Sequence, residues 1–353
     1  MHFVDSDPTL DRAATAGVAP KRASRARRAE ASMATKTSEI QPLPRWTRLQ
    51  GADLGAAAFS TGAGLALFDQ LMRGGPDGAE PVFAGCLRQR LALRAAESCA
   101  TLSRLREDAR GLRDAQHLAG GVEPSPAGRR HRLFRLFAAH PARFDAATLT
   151  RAIALLGLPK IDASAGAKAL QEDVAAAPDP LAAAARASAA AMKLCSGGSA
   201  VDADIFALLV ADLALATRLG WARPVPLLAV AVLHPSLRRG AGARAGASRP
   251  RPTDEDWPAA VAFAYGLAVV DAHALAVDLA RRAQKLFDVA PMLRAKGARR
   301  VIDMLLADDA VAPAAAARAG LSDRAARRLF DRLVALGAVR ELTGRETFRI
   351  YGL

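Results

Sequence analysis

Aromatic residues make up only 5 % of this 353-residue chain, cysteines number three, and lysine supplies seven of the 49 basic side chains. Each scarcity excludes something. Cys86, Cys99 and Cys195 are scattered, with no CxxC and no even-numbered framework. A disulfide scaffold and a zinc ribbon are therefore not expected, and free thiols in a reducing cytoplasm are. The histidines (His2, His117, His131, His140, His234, His273) form no HExxH or HxxxH pair, so no metal site is predicted. No GxxxxGK[ST], GxSxG or strand-GxGxxG-helix unit occurs, and "STGAGLAL" carries its glycines inside a helical pattern. Neither catalytic nor cofactor-binding residues are nominated, and the chain reads as a non-enzyme. The first residues, "MHFVDSDPTLDR", lack the apolar core of a secretory signal. The longest uncharged apolar run, Trp257 to Val270, stops at Asp271, short of the ~20 residues a bilayer requires. A cytoplasmic protein with no membrane partner is expected.

What is abundant is alanine, leucine and arginine. Hydrophobic residues reach 51 %. With so few aromatics, the apolar mass comes from strong helix formers, which predicts an all-α fold. The net charge is +14, and a basic chain is drawn to polyanions. Because 42 of the basic residues are arginine, and GC-rich coding enriches arginine and alanine together, the position of the charge matters more than its total.

The chain divides into three parts. Residues 1–41 hold the basic cluster "KRASRARR" (Lys21 to Arg28) without packable periodicity. They read as a disordered extension, or as a segment upstream of a true start at Met33. Residues 42–290 read as a helical body of bundle-like helices, with a flexible loop at 236–252 whose arginines could touch an anion. In that body Asp53 is a plausible N-cap. Gly55, Ala58, Gly62 and Ala66 would permit close packing of the helix that follows. Val82 to Gly121 is one long or two shorter amphipathic helices, with Leu87, Leu91, Ala95, Cys99 and Leu102 as the buried stripe. Asp212 lies in an apolar helix and would need a partner such as Arg218 or a histidine. "TDEDWP" (Thr253 to Pro258) starts a further helix, expected to bend after Ala283. On it Asp271 and Asp278 share a face and His273 does not, so His273 reads as a core histidine.

Residues 291–353 carry most of the functional signal. A helix from about Lys296 to Asp308 buries Val301, Ile302, Leu305 and Leu306. A short one follows from Ala312 to Gly320, and Ser322 then caps a third over Asp323 to Leu336. At 100° per residue Ala326, Leu329, Phe330, Leu333 and Leu336 fall on one side of the third helix. Arg324, Arg327, Arg328, Asp331 and Arg332 fall on the other. Gly337 ends the helix. "AVREL" and "TFRIY" then flank the turn "TGRE", with Phe348 and Ile350 alternating against Thr347, Arg349 and Tyr351 as in a half-buried strand. The order predicts a C-terminal winged helix-turn-helix of three helices plus a small β-hairpin. Such a module reads duplex DNA with the N-terminal residues of its third helix. Ser322, Arg324, Arg327, Arg328 and Arg332 on that helix, with Arg345 and Arg349 on the wing, are the expected DNA contacts. The segment from Met292 holds twelve Arg/Lys against seven Asp/Glu.

The stretches "LPRWTRLQGADLGAAAFSTGAGLALFDQL", "LRQRLALRAAESCATLSRLREDARGLRDAQHL", "RPVPLLAVAVLHPSLRR" and "LRAKGARRVIDMLLADDAV", followed by the tail, resemble a bacterial domain-of-unknown-function family, number 1403. They span nearly everything after Leu43. The family carries no activity across. The tail alone is similar to the C-terminal helix-turn-helix of other bacterial proteins ending in "LTGR…FR.YG.".

The expected function is DNA binding, with transcriptional regulation as its use and the helical body serving dimerisation (a homodimer), ligand sensing or partner docking. The alternatives are a protein-interaction module whose winged helix docks a partner, and an enzyme with a site among the helices. Salt dependence separates the first from DNA binding, and a bound metal or cofactor would mark the second.

Overall fold

Serine or aspartate stands at the start of helix after helix, as an N-cap must if the first N–H groups are to find acceptors. The computed structural model describes residues 40–48, 54–118, 123–240, 249–293, 297–318 and 320–353. The basic cluster Lys21–Arg28, Met33 and Asp53 lie outside the described residues. Among the described residues, fourteen α-helices form: α1 Leu54–Met72, α2 Ala84–Leu102, α3 Ala109–Leu118, α4 Pro126–Ala139, α5 Ala146–Leu156, α6 Ala163–Ala175, α7 Pro180–Leu194, α8 Ala200–Leu219, α9 Leu228–Ala231, α10 Pro235–Gly240, α11 Trp257–Val289, α12 Ala298–Ala307, α13 Pro313–Arg318 and α14 Asp323–Ala335. The two strands are β1 Arg340–Glu341 and β2 Tyr351–Gly352. The fold is all-α, as the composition predicts.

The side chains of Ser125, Asp145, Asp162, Asp179, Ser199 and Ser322 cap α4, α5, α6, α7, α8 and α14. The long amphipathic stretch after Val82 resolves into two helices, α2 and α3. Between them Arg104 takes a positive φ of 57°. Leu87, Leu91, Ala95 and Cys99 are fully buried along α2. Burial pushes the Cys86 and Cys99 thiols up to about 12, so neither supplies a thiolate near neutrality.

The centre is built on α8 and α11. From Ala203 to Ala216 every residue of α8 is buried, which is the pattern of a helix with protein on all sides. It lies against α7, whose Ala183, Ala184, Ala187 and Ala191 are buried and let the backbones approach closely. Helix α11 runs unbroken over 33 residues without the expected bend, and it packs on α1, α2, α7 and α9. The segment Trp257–Met292 is long and apolar enough to cross a membrane, yet 61 % of its most apolar window is buried within the fold. Its apolar face is met by protein.

Three expectations about the body are corrected. The small residues Ala58, Gly62 and Ala66 face solvent, and a Cβ on Gly62 would meet nothing within 4 Å. Helix α1 instead meets α11 through Gly64, whose Cβ would lie 3.4 Å from Val269, and through Thr61, which donates to the Ala262 carbonyl at 3.0 Å. One residue of phase, one-third of a turn, separates the two faces.

The second correction concerns Asp212. Its oxygens accept from the Leu227 N–H at 3.1 Å, the Leu228 N–H at 3.0 Å and the Tyr265 hydroxyl at 3.0 Å. Neither Arg218 nor a histidine is involved. The carboxylate caps the start of α9 and ties it to α11. Tyr265→Phe deletes one of three bonds to a buried carboxylate and is expected to cost about 1–3 kcal/mol in urea denaturation. A loss below 0.5 kcal/mol, about the scatter of a surface substitution, would contradict this account.

The third concerns the loop at 236–252. Residues 235–240 are helical. Arg249 and Arg251 are not offered to an anion, because the buried Asp204 takes both, at 2.6 and 3.2 Å; residues 241–248, with Arg244, lie outside the described residues.

Candidate nucleic-acid interface and the charge network behind it

Helix α14 begins where its cap predicts. The Ser322 hydroxyl accepts the Ala325 N–H at 3.2 Å. Ala326, Leu329, Phe330 and Leu333 are buried, and Leu336 is half-buried. Phe330 stacks on Tyr351 with ring centroids 4.5 Å apart and planes 10° from parallel. The opposite face is open. Ser322, Arg324, Arg327, Arg328, Asp331 and Arg332 are all exposed. The four arginines hold no ion pair or side-chain hydrogen bond among the described residues. Asp331 does not pair with Arg327 or Arg328, although the helical spacing allows it. Beside Arg328 and Arg332 lies an open cleft of about 690 Å³, bounded by Pro291, Met292 and Leu293.

The strands differ from the sequence pattern. The ladder is two residues long, pairing Arg340 with Gly352 and Glu341 with Tyr351. Phe348, expected to be buried, is 72 % exposed at φ 56°. Tyr351, expected to face out, is buried against Phe330. The turn accounts for this. Thr343 is buried, and both its N–H and its hydroxyl go to the Glu341 carboxylate, which also accepts the Gly344 N–H. This compact loop takes up the residues that a longer strand would have used. Sequence reading also missed a third extended segment. Val311, between α12 and α13, bridges Tyr351 antiparallel, with N···O distances of 2.7 and 2.9 Å. Tyr351 is thus paired on both sides.

Of the seven residues predicted from sequence, the five at or on α14 share one open face. The two on the hairpin are engaged. Arg345 pairs with Asp114 of α3 at 2.8 Å, and the Arg349 Nε donates to the Arg345 carbonyl at 3.0 Å.

Behind this face lies a cluster that sequence reasoning did not find. Asp308 and Asp309 follow α12, and Asp309 is fully buried. Arg135 of α4 grips Asp308 through two bonds of 2.9 and 2.8 Å and reaches Asp309 at 3.0 Å. From α3, Arg113 meets the other Asp309 oxygen at 2.9 Å and His117 lies 3.3 Å from the first. Burial works against the Asp309 charge, but His117, Asp308 and Arg135 hold the carboxyl well below the usual range. His117, Asp308 and Asp309 bring their ligand-type atoms within 4.8 Å of one another, the residue types a divalent ion uses. Two guanidinium groups already neutralise those carboxylates, so the cluster acts as a clamp. It joins helices α3 and α4 to the segment leading into α13. The backbones close up at the same joint: a Cβ on Gly352 would fall 2.6 Å from the Asp309 carbonyl, and one on Gly85 would fall 2.8 Å from the Ala307 Cα. Only glycine fits either position. Arg90 and Arg110 add bonds to the carbonyls of Leu353 and Thr343. The signal in the sequence was the pair of aspartates in the apolar context "LLADDAV", but its partners are 173 to 196 residues away.

His273 is buried on α11 and held below its usual pKa by that burial. Asp271 is exposed, and Asp278 pairs with Arg281 and Arg282 at 3.0 and 2.6 Å. These three residues form no joint site.

No curated protein matches the chain. The family model described as "Protein of unknown function (DUF1403)" matches residues 31–353, nearly the whole length, and the chain belongs to that family.

Proposed function

We propose that the protein binds duplex DNA through the open face of α14, in a winged helix-turn-helix arrangement, and acts as a regulator. The observation that carries the reading is the row of Arg324, Arg327, Arg328 and Arg332, exposed and without ion pairs among the described residues. Elsewhere in the fold arginines are commonly spent on aspartates, as Arg113, Arg135, Arg249 and Arg251 are. Four unspent guanidinium groups on one helix face are the donors that phosphates and guanine edges accept from in a major groove. The order of elements supports the same reading: helix, the Val311 segment, short helix, capped helix, then β1 and β2, with Tyr351 paired between Val311 and Glu341. That is the succession of a winged helix. Arg345 and Arg349 each spend a bond within the fold but remain exposed, so the helix carries the main contact and the wing arginines a flanking one.

A second reading, docking of a protein partner, draws on the exposed Phe348 and on Asp331 in the middle of the arginine face. Salt decides between them. Fluorescence anisotropy on a duplex should show affinity falling steeply with ionic strength through counterion release. The triple variant Arg324→Ala/Arg327→Ala/Arg328→Ala should lower the log–log salt slope by about three units and weaken binding at every salt. Absence of binding at low salt by the folded wild type would refute the DNA reading and turn attention to Phe348.

A further inference from the structure

The geometry points to a small-molecule site between α4 and α5 that takes a carboxylate with a compact apolar body. This inference does not rest on the DNA reading. The site is a cavity of about 200 Å³. That size limits the guest to a single ring or a short chain.

The walls follow from helical spacing. Helix α4 contributes Leu133, Leu136 and Phe137, and His140 follows just past its end. Helix α5 contributes two rows one turn apart: Thr148 and Ala152 are buried beneath, while Ala147 and Arg151 are exposed at the rim. The interior is therefore hydrocarbon, and the polar groups gather at one side. A mostly apolar pocket with a few convergent polar groups is the usual form of a ligand site.

The polar groups decide the charge of the guest. His140 Nδ1 lies 3.0 Å from the Pro141 carbonyl, which can only accept. Nε2 lies 3.1 Å from the Thr148 hydroxyl and 3.7 Å from an Asp145 carboxylate oxygen, so the imidazole is engaged on both edges. The Asp145 carboxylate is also committed. It caps α5 through the Thr148 N–H at 2.8 Å and pairs with Arg143 at 3.3 Å. Arg151 alone holds no ion pair or side-chain hydrogen bond among the described residues. It is a guanidinium at the mouth of an apolar cavity, the complement of a carboxylate whose tail points inward.

Isothermal titration calorimetry of the full chain with octanoate and with 3-phenylpropanoate tests this, with octanamide as the neutral control. At least one acid should bind at one site per chain, about tenfold or more tighter than octanamide. Arg151→Ala should remove that margin while leaving octanamide binding unchanged. Ala147→Trp, placed on an exposed rim position, should abolish binding of all three while the protein stays folded by circular dichroism. The proposal fails if the folded wild type binds neither acid at millimolar concentration. It fails equally if octanamide binds as tightly as the acids, or if acid binding survives both substitutions.

Discussion

Asp309→Ala should lower the free energy of unfolding by about 3–5 kcal/mol, the cost of breaking a buried pair from one side. The carboxylate is fully buried and is shared by Arg113, Arg135 and His117. Deleting it leaves two guanidinium groups and an imidazole facing a void, with only Asp308 to answer them. Urea denaturation measures the loss, and a value under 1 kcal/mol would show that water or Asp308 makes good the missing partner. Amide exchange places it: the segment after α12 should open more readily than α8, because the clamp joins that segment to α3 and α4. The same group contributes to the acid limit. Its folded pKa is depressed from the ordinary 3.8. Its contribution is therefore present above that value and lost as the pH falls below it. A double-mutant cycle with Arg113→Ala should be strongly non-additive, since each single substitution already breaks the 2.9 Å pair.

The parts of this protein that sequence made legible are those governed by local rules. Ser322 announces its helix start because a side-chain oxygen three residues ahead of an N–H needs no tertiary context. The apolar rows of α2 and α14 give their buried faces from period alone. The misread elements depended on something distant or on a competing local bond. Phe348 and Tyr351 exchanged faces because the Glu341 carboxylate gathers Thr343 and Gly344 into a compact loop. The pull of that loop outweighs a period-2 pattern only five residues long. Gly62 and Gly64 are both plausible helix-packing positions, and only the placement of α11 chooses between them. For the candidate interface, the arginine row was legible and the fate of Arg345 was not, since Asp114 lies 231 positions earlier. The clamp was invisible for the same reason. Aspartates at 308 and 309, arginines at 113 and 135 and a histidine at 117 share no spacing rule, and only the fold brings them together.

The pH profile should expose two buried groups that work against each other. Burial, and then Arg135, push His131 from 6.5 down to about 4, and its Nε2 is buried without a hydrogen-bond partner among the described residues. Burial lifts Asp212 from 3.8 to about 7, against the opposing bonds from Leu228, Tyr265 and Leu227. The two signs differ. His131 is neutral in the fold, so its contribution is full above 6.5 and is lost as the pH falls towards 4. Asp212 keeps its proton in the fold when the unfolded chain has released it. Its contribution is full below 3.8 and is lost as the pH rises towards 7. Between pH 4 and 6.5 the slopes oppose, each limited to about 1.4 kcal/mol per pH unit, and the wild type should show a shallow profile there. Asp212→Asn removes the falling limb, so that variant should gain stability as the pH rises from 4 to 6.5, with the burial of His273 adding in the same sense. His131→Gln removes the main rising limb, so that variant should lose stability up to about pH 7. Urea denaturation at half-unit pH steps reads both slopes, and the comparison is of slopes, so any fixed cost of either substitution drops out. Parallel profiles for the two variants would mean that neither group titrates differently in the folded and unfolded chain. That result would remove the buried carboxylate at Asp212 as a carrier of pH sensitivity and leave the Asp309 clamp to contribute to the acid limit.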